Sequence, residues 1–359
     1  MHKFINKIAY LLFALYILIL LCTCDAKART KASAYSPRNI PFQSTFLAFD
    51  TECSISIYGK MNEKDANNCI NEIKKTIDWY DKTFSKTNID SEVYKINHRN
   101  SDIIYTYKEV GDLFIIIKLL YEWSDKVFDV SAGTLFDLWD VKHRKTLPSK
   151  NELDEAAKHI RNYDYIVDNT GEGDRPYRIT FRGDRDTIYD FGALVKGYVC
   201  EVIKKGYINY PGLDGMIINL GGNVCCIGEK VSKDDKLFKV GIFKPFTSGE
   251  IAEVVSVKDK SVVTSGNYQR YFKVPGDDRI YHHIIDTRTL YPTNNQLDSV
   301  SIITNNAMLG DYLSTSCMIL GEEKAKELIN FCSTEFDDKE LEAIYIYSDY
   351  HISKYKVNS

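Results

Sequence analysis

Between Asp65 and Phe84 the apolar residues Ile70, Ile73, Ile77, Tyr80 and Phe84 recur at alternating intervals of three and four, which predicts an amphipathic helix. A second helix is expected from Val110 to Ser124; it is apolar over most of its surface and therefore central. A third should run from Lys150 to Ile160, with Ser149 as its N-cap after Pro148. The period then shortens to that of strands, at Tyr163 to Asp168, Tyr177 to Phe181, Gly215 to Leu220, Lys239 to Phe243 and Glu253 to Val257. A helix from Leu194 to Tyr207 interrupts them. A strand from Val300 to Ile303, helices at Asn306 to Leu320 and Glu323 to Phe331, and a strand from Ala343 to Tyr347 close the chain. Alternation in Cys53-Ser-Ile-Ser-Ile-Tyr58 marks an opening strand within Thr45 to Tyr58. Helices and strands mix without regular βαβ alternation, so the fold class is α+β, with mainly antiparallel sheets in one large domain.

The N-terminus has another character. His2, Lys3 and Lys7 precede an apolar run from Ile8 to Leu21 that only Tyr10 and Tyr16 interrupt. A transmembrane helix needs roughly 20 apolar residues; this shorter run suits the core of a secretory signal peptide. It ends in Leu21-Cys-Thr-Cys24, which resembles a bacterial lipobox, although Thr23 stands where Ala, Gly or Ser is usual. Residues 1–23 are therefore expected to be a lipoprotein-type signal peptide, with Cys24 acylated; plain secretion with cleavage nearby is the alternative. Lys27 to Pro41 is polar, so 24–44 reads as a flexible tether and 45–359 as the folded body. The expected location is outside the cytoplasm, on the periplasmic side of the inner membrane, where Asp25 resembles a retention signal.

The formal net charge of −4 comes from acids and bases spread along the chain, and no dense basic patch suggests nucleic acid. Of the nine cysteines, the seven beyond Cys24 form no CxxC and no metal-ligand spacing. Most sit in apolar contexts, where cysteine behaves as a small buried hydrophobe. An exported chain can form a disulfide, and the spacing singles out no pair.

Asp311 and Thr315 lie four apart in a segment read as helix, so they share one face. A carboxylate and a hydroxyl so placed can share a hard cation such as Mg²⁺; an acid near a helix N-terminus and a buried threonine is the plainer reading. In Asp190-Phe-Gly-Ala-Leu-Val-Lys-Gly-Tyr198 a short strand, Thr187 to Tyr189, is expected to feed a turn at Gly192 and then a helix. Backbone groups at such a turn are available to a ligand. Lys196 can neutralise phosphate as a compact point charge or can be an ordinary surface lysine. Asn219-Leu-Gly-Gly-Asn223 closes a buried strand with paired glycines, and Thr264-Ser-Gly-Asn-Tyr268 offers small polar residues between strands. In His282-His-Ile-Ile-Asp286, His283 is either a satisfied structural residue or a general base for a hydroxyl.

Taken in order with Asp90-Ser-Glu92, Phe128-Asp-Val-Ser131 and Asp311-Tyr-Leu-Ser-Thr315, these segments resemble the ApbE family, the FAD:protein FMN transferases. The likeness runs from about Phe49 to the C-terminus. It implies an FAD cleft and a metal held by Asp311, Thr315 and the Ala193 carbonyl, with Ser314 an accessory position. It also implies that Asp190 and Lys196 contact the flavin nucleotide, and that Val127, Phe128 and Asp129 border the isoalloxazine ring. His283 and Asp286 become the catalytic candidates, and Ile285 a residue that positions the flavin. Phe49 and Thr87 fall at flavin-contacting positions, but both depart from the family pattern. Phe49-Asp-Thr51 replaces Met-Gly-Thr, and Thr87 stands where an aromatic residue is common. Asp286-Thr-Arg-Thr-Leu290 likewise replaces Asp-Pro-x-Thr-Gly.

The activity implied is Mg²⁺-dependent cleavage of FAD, with FMN passed to a Ser/Thr hydroxyl of an exported redox-complex subunit and AMP released. Two alternatives remain at this level: an FAD pyrophosphatase, with water replacing the hydroxyl, and a non-catalytic FAD-binding lipoprotein.

Overall fold

The computed structural model describes residues 40–171, 173–230 and 236–357. The expected signal peptide, Cys24 and most of the tether lie outside the described residues. Strands β1 (Phe42–Ala48) and β2 (Thr51–Gly59) lead into α1 (Glu63–Phe84) and the short α2 (Glu92–Asn97). Next come β3 (Ile103–Thr106), α3 (Lys108–Trp123), α4 (Gly133–Trp139), α5 (Lys150–Ala156), β4 (Tyr165–Asn169) and β5 (Tyr177–Phe181). After α6 (Val195–Tyr207) follow β6 (Leu213–Leu220), β7 (Asn223–Gly228), β8 (Phe238–Phe243), β9 (Ile251–Val257) and β10 (Ser261–Gly266). The short strands β11 (Tyr271–Lys273), β12 (Ile280–His282), β13 (Ile285–Asp286) and β14 (Tyr291–Pro292) precede β15 (Leu297–Thr304). Helices α7 (Ala307–Leu320) and α8 (Glu322–Glu335) and strands β16 (Glu342–Tyr347) and β17 (Ile352–Lys356) complete the chain.

The architecture is α+β, as expected. An eight-stranded sheet runs β1-β2-β6-β7-β10-β15-β16-β17, and each neighbouring pair is antiparallel. Period-two alternation divides its side chains between two cores. Ile302, Ala343 and Tyr345 face the main core with helices α1, α3, α6, α7 and α8, whereas Ile303, Ile344 and Ile346 face a smaller core under β8 and β9. That explains why β15 is buried along its whole length. A third cluster joins α4 and α5 to Phe272, Tyr281 and Ile285.

Three expectations are corrected. Strand β1 begins at Phe42, so Phe42, Gln43 and Ser44 belong to the sheet and not to the tether. Thr187 to Tyr189 is not a strand. The Asn97 side chain takes both backbone groups of Tyr189, donating to its carbonyl and accepting from its amide, each at 2.9 Å; this satisfies the extended backbone without a neighbouring strand. Thr264, Ser265 and Gly266 lie in β10 and not between strands. The Ser149 cap is observed as a full capping box with Glu152.

Candidate functional site

The site is organised where the N-terminal ends of α6 and α7 cross. Leu194, at the N-cap of α6, has no side-chain acceptor for the first-turn amides. Asp311 of α7 supplies one instead: its Oδ2 accepts the Gly197 amide at 2.6 Å. In return Glu201 of α6 accepts the Ala307 amide at the start of α7, at 2.7 Å. Such close crossing requires glycine at 197, where a Cβ would lie 2.3 Å from the Ala307 carbonyl oxygen. Gly310 similarly lets α7 settle on β10, since a Cβ there would meet Val263 at 2.6 Å.

Asp311 is buried, and loss of hydration raises its pKa, opposed first by the charge of Lys196 and then by the Gly197 amide. The buried Asn223 side chain lies close enough to favour the charged carboxylate, yet Asn223 Nδ2 completes no hydrogen bond. Asn223 is thus a neighbour of Asp311 and not a hydrogen-bonded partner. A buried carboxylate with one oxygen committed to an amide is a good partner for a cation. Thr315, one turn along α7, brings its hydroxyl to 3.2 Å from Ser265 on β10. Ala193 sits exposed in the turn before α6. A carboxylate oxygen, a hydroxyl and a carbonyl are hard oxygen donors of the kind Mg²⁺ takes, so the residues present fit that ion. His159, Asp184 and Asp186 form another acidic group among the described residues, but His159 Nδ1 is already hydrogen-bonded to Asp184 at 2.6 Å.

Lys196 is the electrostatic hub. Its Nζ donates to the Gly192 carbonyl at 2.9 Å, and its charge is felt at Asp311, His283 and Cys53. His283 lies in the bend between β12 and β13, not on a strand. Its Nδ1 faces the Arg270 carbonyl at 3.3 Å; a carbonyl only accepts, so the proton sits on Nδ1 and Nε2 keeps its lone pair. The residue is half-buried, and loss of hydration, then the charges of His282, Arg270 and Lys196, push its imidazole down to about 4. Around neutral pH its ring is therefore neutral.

Asp190 is held by Lys86 at 2.9 Å, and Lys86 also binds Asp137. Asp190 Oδ1 accepts the Gly192 amide at 2.9 Å, which shapes the turn. Lys86 was not singled out in the sequence, because nothing in Ser85-Lys-Thr87 reveals a partner so far along the chain. Phe49 and Asp50 form the two-residue turn of the β1–β2 hairpin, with φ of 52° and 56°. Both central residues of a type I′ turn need positive φ. Asp50, in place of glycine, tolerates that conformation, whereas Phe49 adopts it against its preference. Thr87 is exposed and shares a hydrogen bond with Ser85.

Other expected residues turn inward. Val127, Phe128 and Ile285 are core residues, each under 5% exposed; Phe128 packs edge-on against Tyr312 of α7. Asp129 spends its carboxylate on Ser131, Tyr163 and the Arg161 amide. Asp286, the other catalytic candidate, has both oxygens engaged by Arg288, Nε at 3.0 Å and Nη2 at 2.9 Å. Leu290, where the family pattern has glycine, keeps a left-handed φ of 65°; the Asp286 carbonyl accepts the Leu290 amide at 2.8 Å and closes the turn. In Asp90-Ser-Glu92, Ser91 caps α2 and Glu92 forms a two-point ion pair with Arg175. The cysteines among the described residues are all free and buried.

The ApbE family pattern matches residues 49–337. The FAD:protein FMN transferase of Klebsiella pneumoniae (strain 342) is 28% identical over 270 residues, covering 74% of this chain and 78% of that protein. The FAD:protein FMN transferase of Treponema pallidum (strain Nichols) is 26% identical over 336 residues, covering 91% and 88%. Among solved structures, the ApbE protein of Thermotoga maritima superposes with a TM-score of 0.73 at 24% identity, covering 88% of this chain and 96% of that one. The flavin transferase ApbE from Vibrio cholerae superposes with a TM-score of 0.72 at 20% identity, covering 89% and 98%. These structures share the fold, and the family pattern spans the body that carries the site. The chain belongs to the ApbE family.

Proposed function

We propose that this chain is an FAD:protein FMN transferase that works with Mg²⁺, is exported and anchored by lipid at Cys24, and modifies a Ser/Thr of an exported redox subunit. The observation that supports the chemistry is the buried Asp311 carboxylate on the Gly197 amide, with the charge of Lys196, itself tied to the Gly192 carbonyl next to Ala193, acting on both Asp311 and His283. Asp311, Thr315 and the Ala193 carbonyl would hold Mg²⁺. When bound, the ion neutralises pyrophosphate oxygens and stabilises charge in the transition state. Lys196 adds a second positive charge, and Asp190, fixed by Lys86, holds the glycine turn open to the nucleotide.

The acceptor hydroxyl oxygen forms a bond to the FMN phosphorus while the phosphoanhydride bond to AMP breaks. AMP leaves with the bonding electron pair, and the hydroxyl proton passes to His283 Nε2. Phosphoryl transfer depends mainly on positioning and charge neutralisation, which these residues provide. The test is to incubate the chain with FAD, Mg²⁺ and a candidate acceptor domain and separate the products. Protein-bound FMN with AMP supports the transferase; free FMN with AMP means a pyrophosphatase; unchanged FAD means a passive binder.

A further inference from the structure

Beside Asp311 runs a chain of hydroxyl groups whose direction follows from counting protons. A hydroxyl has one proton and two lone pairs. Ser314, fully buried on α7, lies 3.2 Å from the backbone carbonyl of Asp311, which only accepts, so the Ser314 proton is spent there. Ser314 Oγ is also 2.9 Å from Ser265 Oγ. Ser314 has no second proton, so Ser265 donates to it. Ser265 then has none left for Thr315 at 3.2 Å, and Thr315 must donate to Ser265. The Thr315 proton is thereby turned toward β10, and the remaining oxygen lone pairs face away from the relay.

We infer that Ser314 and Ser265 are positioning residues that hold the Thr315 hydroxyl as an electron-pair donor toward the cation. This rests on the metal reading above. A hydroxyl ligates a cation through a lone pair, and a proton turned the other way would be repelled by it. The relay is built into rigid parts. Ser265 sits in β10, paired with Val300 of β15, and the neighbouring Thr264 is tied to Ser301 at 2.7 Å. Gly310 lets α7 approach β10 closely enough for the hydroxyls to meet.

The test uses the full chain and Mn²⁺ alone, an ion that shares oxygen ligands with Mg²⁺. Free Mn²⁺ is read by electron paramagnetic resonance, so no turnover is involved. Ser265→Ala should weaken binding by about 5-fold, the equivalent of one neutral hydrogen bond, and Ser265→Thr should keep most of the affinity. In a Thr315→Val background, Ser265→Ala should have no further effect, since the relay then has nothing to orient. Equal losses from Ser265→Ala in both backgrounds, or no loss in either, would overturn the relay while leaving the metal site standing. Equal affinity of wild type and Thr315→Val would instead overturn the metal assignment and the relay's role with it.

Discussion

The Asp311 carboxylate has two separable tasks, and two substitutions divide them. Oδ2 accepts the Gly197 amide at 2.6 Å, while in the proposed site the other oxygen and the negative charge would serve the cation. Asp311→Asn keeps an oxygen for the amide and removes the charge. Asp311→Ala removes both and leaves the Gly197 N–H buried without a partner, which costs about 1–3 kcal/mol. Burial already disfavours the charged carboxylate when no cation is present, so Asn should not destabilise the metal-free protein and can stabilise it. In thermal unfolding with chelator, Asp311→Asn should melt at or above the wild type, and Asp311→Ala a few degrees below Asp311→Asn. With excess Mg²⁺ and FAD the wild type should gain about 2.7 kcal/mol at a hundredfold excess over the dissociation constant; neither variant should gain comparably, and neither should transfer FMN. If Asp311→Asn melts as low as Asp311→Ala without metal, the capping argument is wrong. If it keeps the Mg²⁺-dependent gain, the cation is held elsewhere.

His283→Ala should slow transfer by roughly 10²–10⁴-fold with FAD affinity nearly unchanged. Because burial lowers this imidazole, the neutral base persists down to about pH 4, so the wild-type acid limb should fall near there and not near the ordinary histidine value; a pH–rate profile of both proteins checks this, and an identical limb in the variant would refute the assignment. Gly197→Ala forces a Cβ against the Ala307 carbonyl and should cost about 1–3 kcal/mol, seen as a lowered melting temperature together with weakened Mn²⁺ binding, because the same displacement moves Asp311. Cys24→Ala should release a soluble form or leave an unprocessed precursor in a membrane fractionation; unchanged partitioning at the normal processed mass would refute lipid anchoring.

Elements with a clear period were readable from the residues alone. The five apolar positions of α1, the Ser149 cap and the four-residue spacing of Asp311 and Thr315 are local facts, and the structure returns them as α1, a capping box and one face of α7. The short α2 and α4 and strands such as β7, β10 and β11 to β14 were missed, since they are brief and their stability comes from tertiary partners. In the site, the polar types were legible but their allegiances were not. Asp286 and Asp190 look alike in sequence; only the fold shows Arg288 holding one and Lys86 the other. The Gly197 amide carries no signal in sequence at all, because its partner lies far along the chain on a crossing helix. The left-handed Leu290 shows that a missing glycine need not abolish a turn when its amide is secured by the Asp286 carbonyl.

In the proposed function, Asp311, Thr315 and Lys196 assemble a site that moves FMN from FAD onto a protein hydroxyl. Intact-mass measurement of a candidate acceptor domain, after incubation with this chain, FAD and Mg²⁺, tests it most directly. The acceptor should gain one FMN unit less a water, AMP should appear in equal amount, and both should vanish with chelator, with Asp311→Asn, or when the acceptor Ser/Thr is replaced by alanine. An acceptor that stays unmodified while FAD is split to free FMN, or a gain in mass that persists without divalent metal, would contradict it.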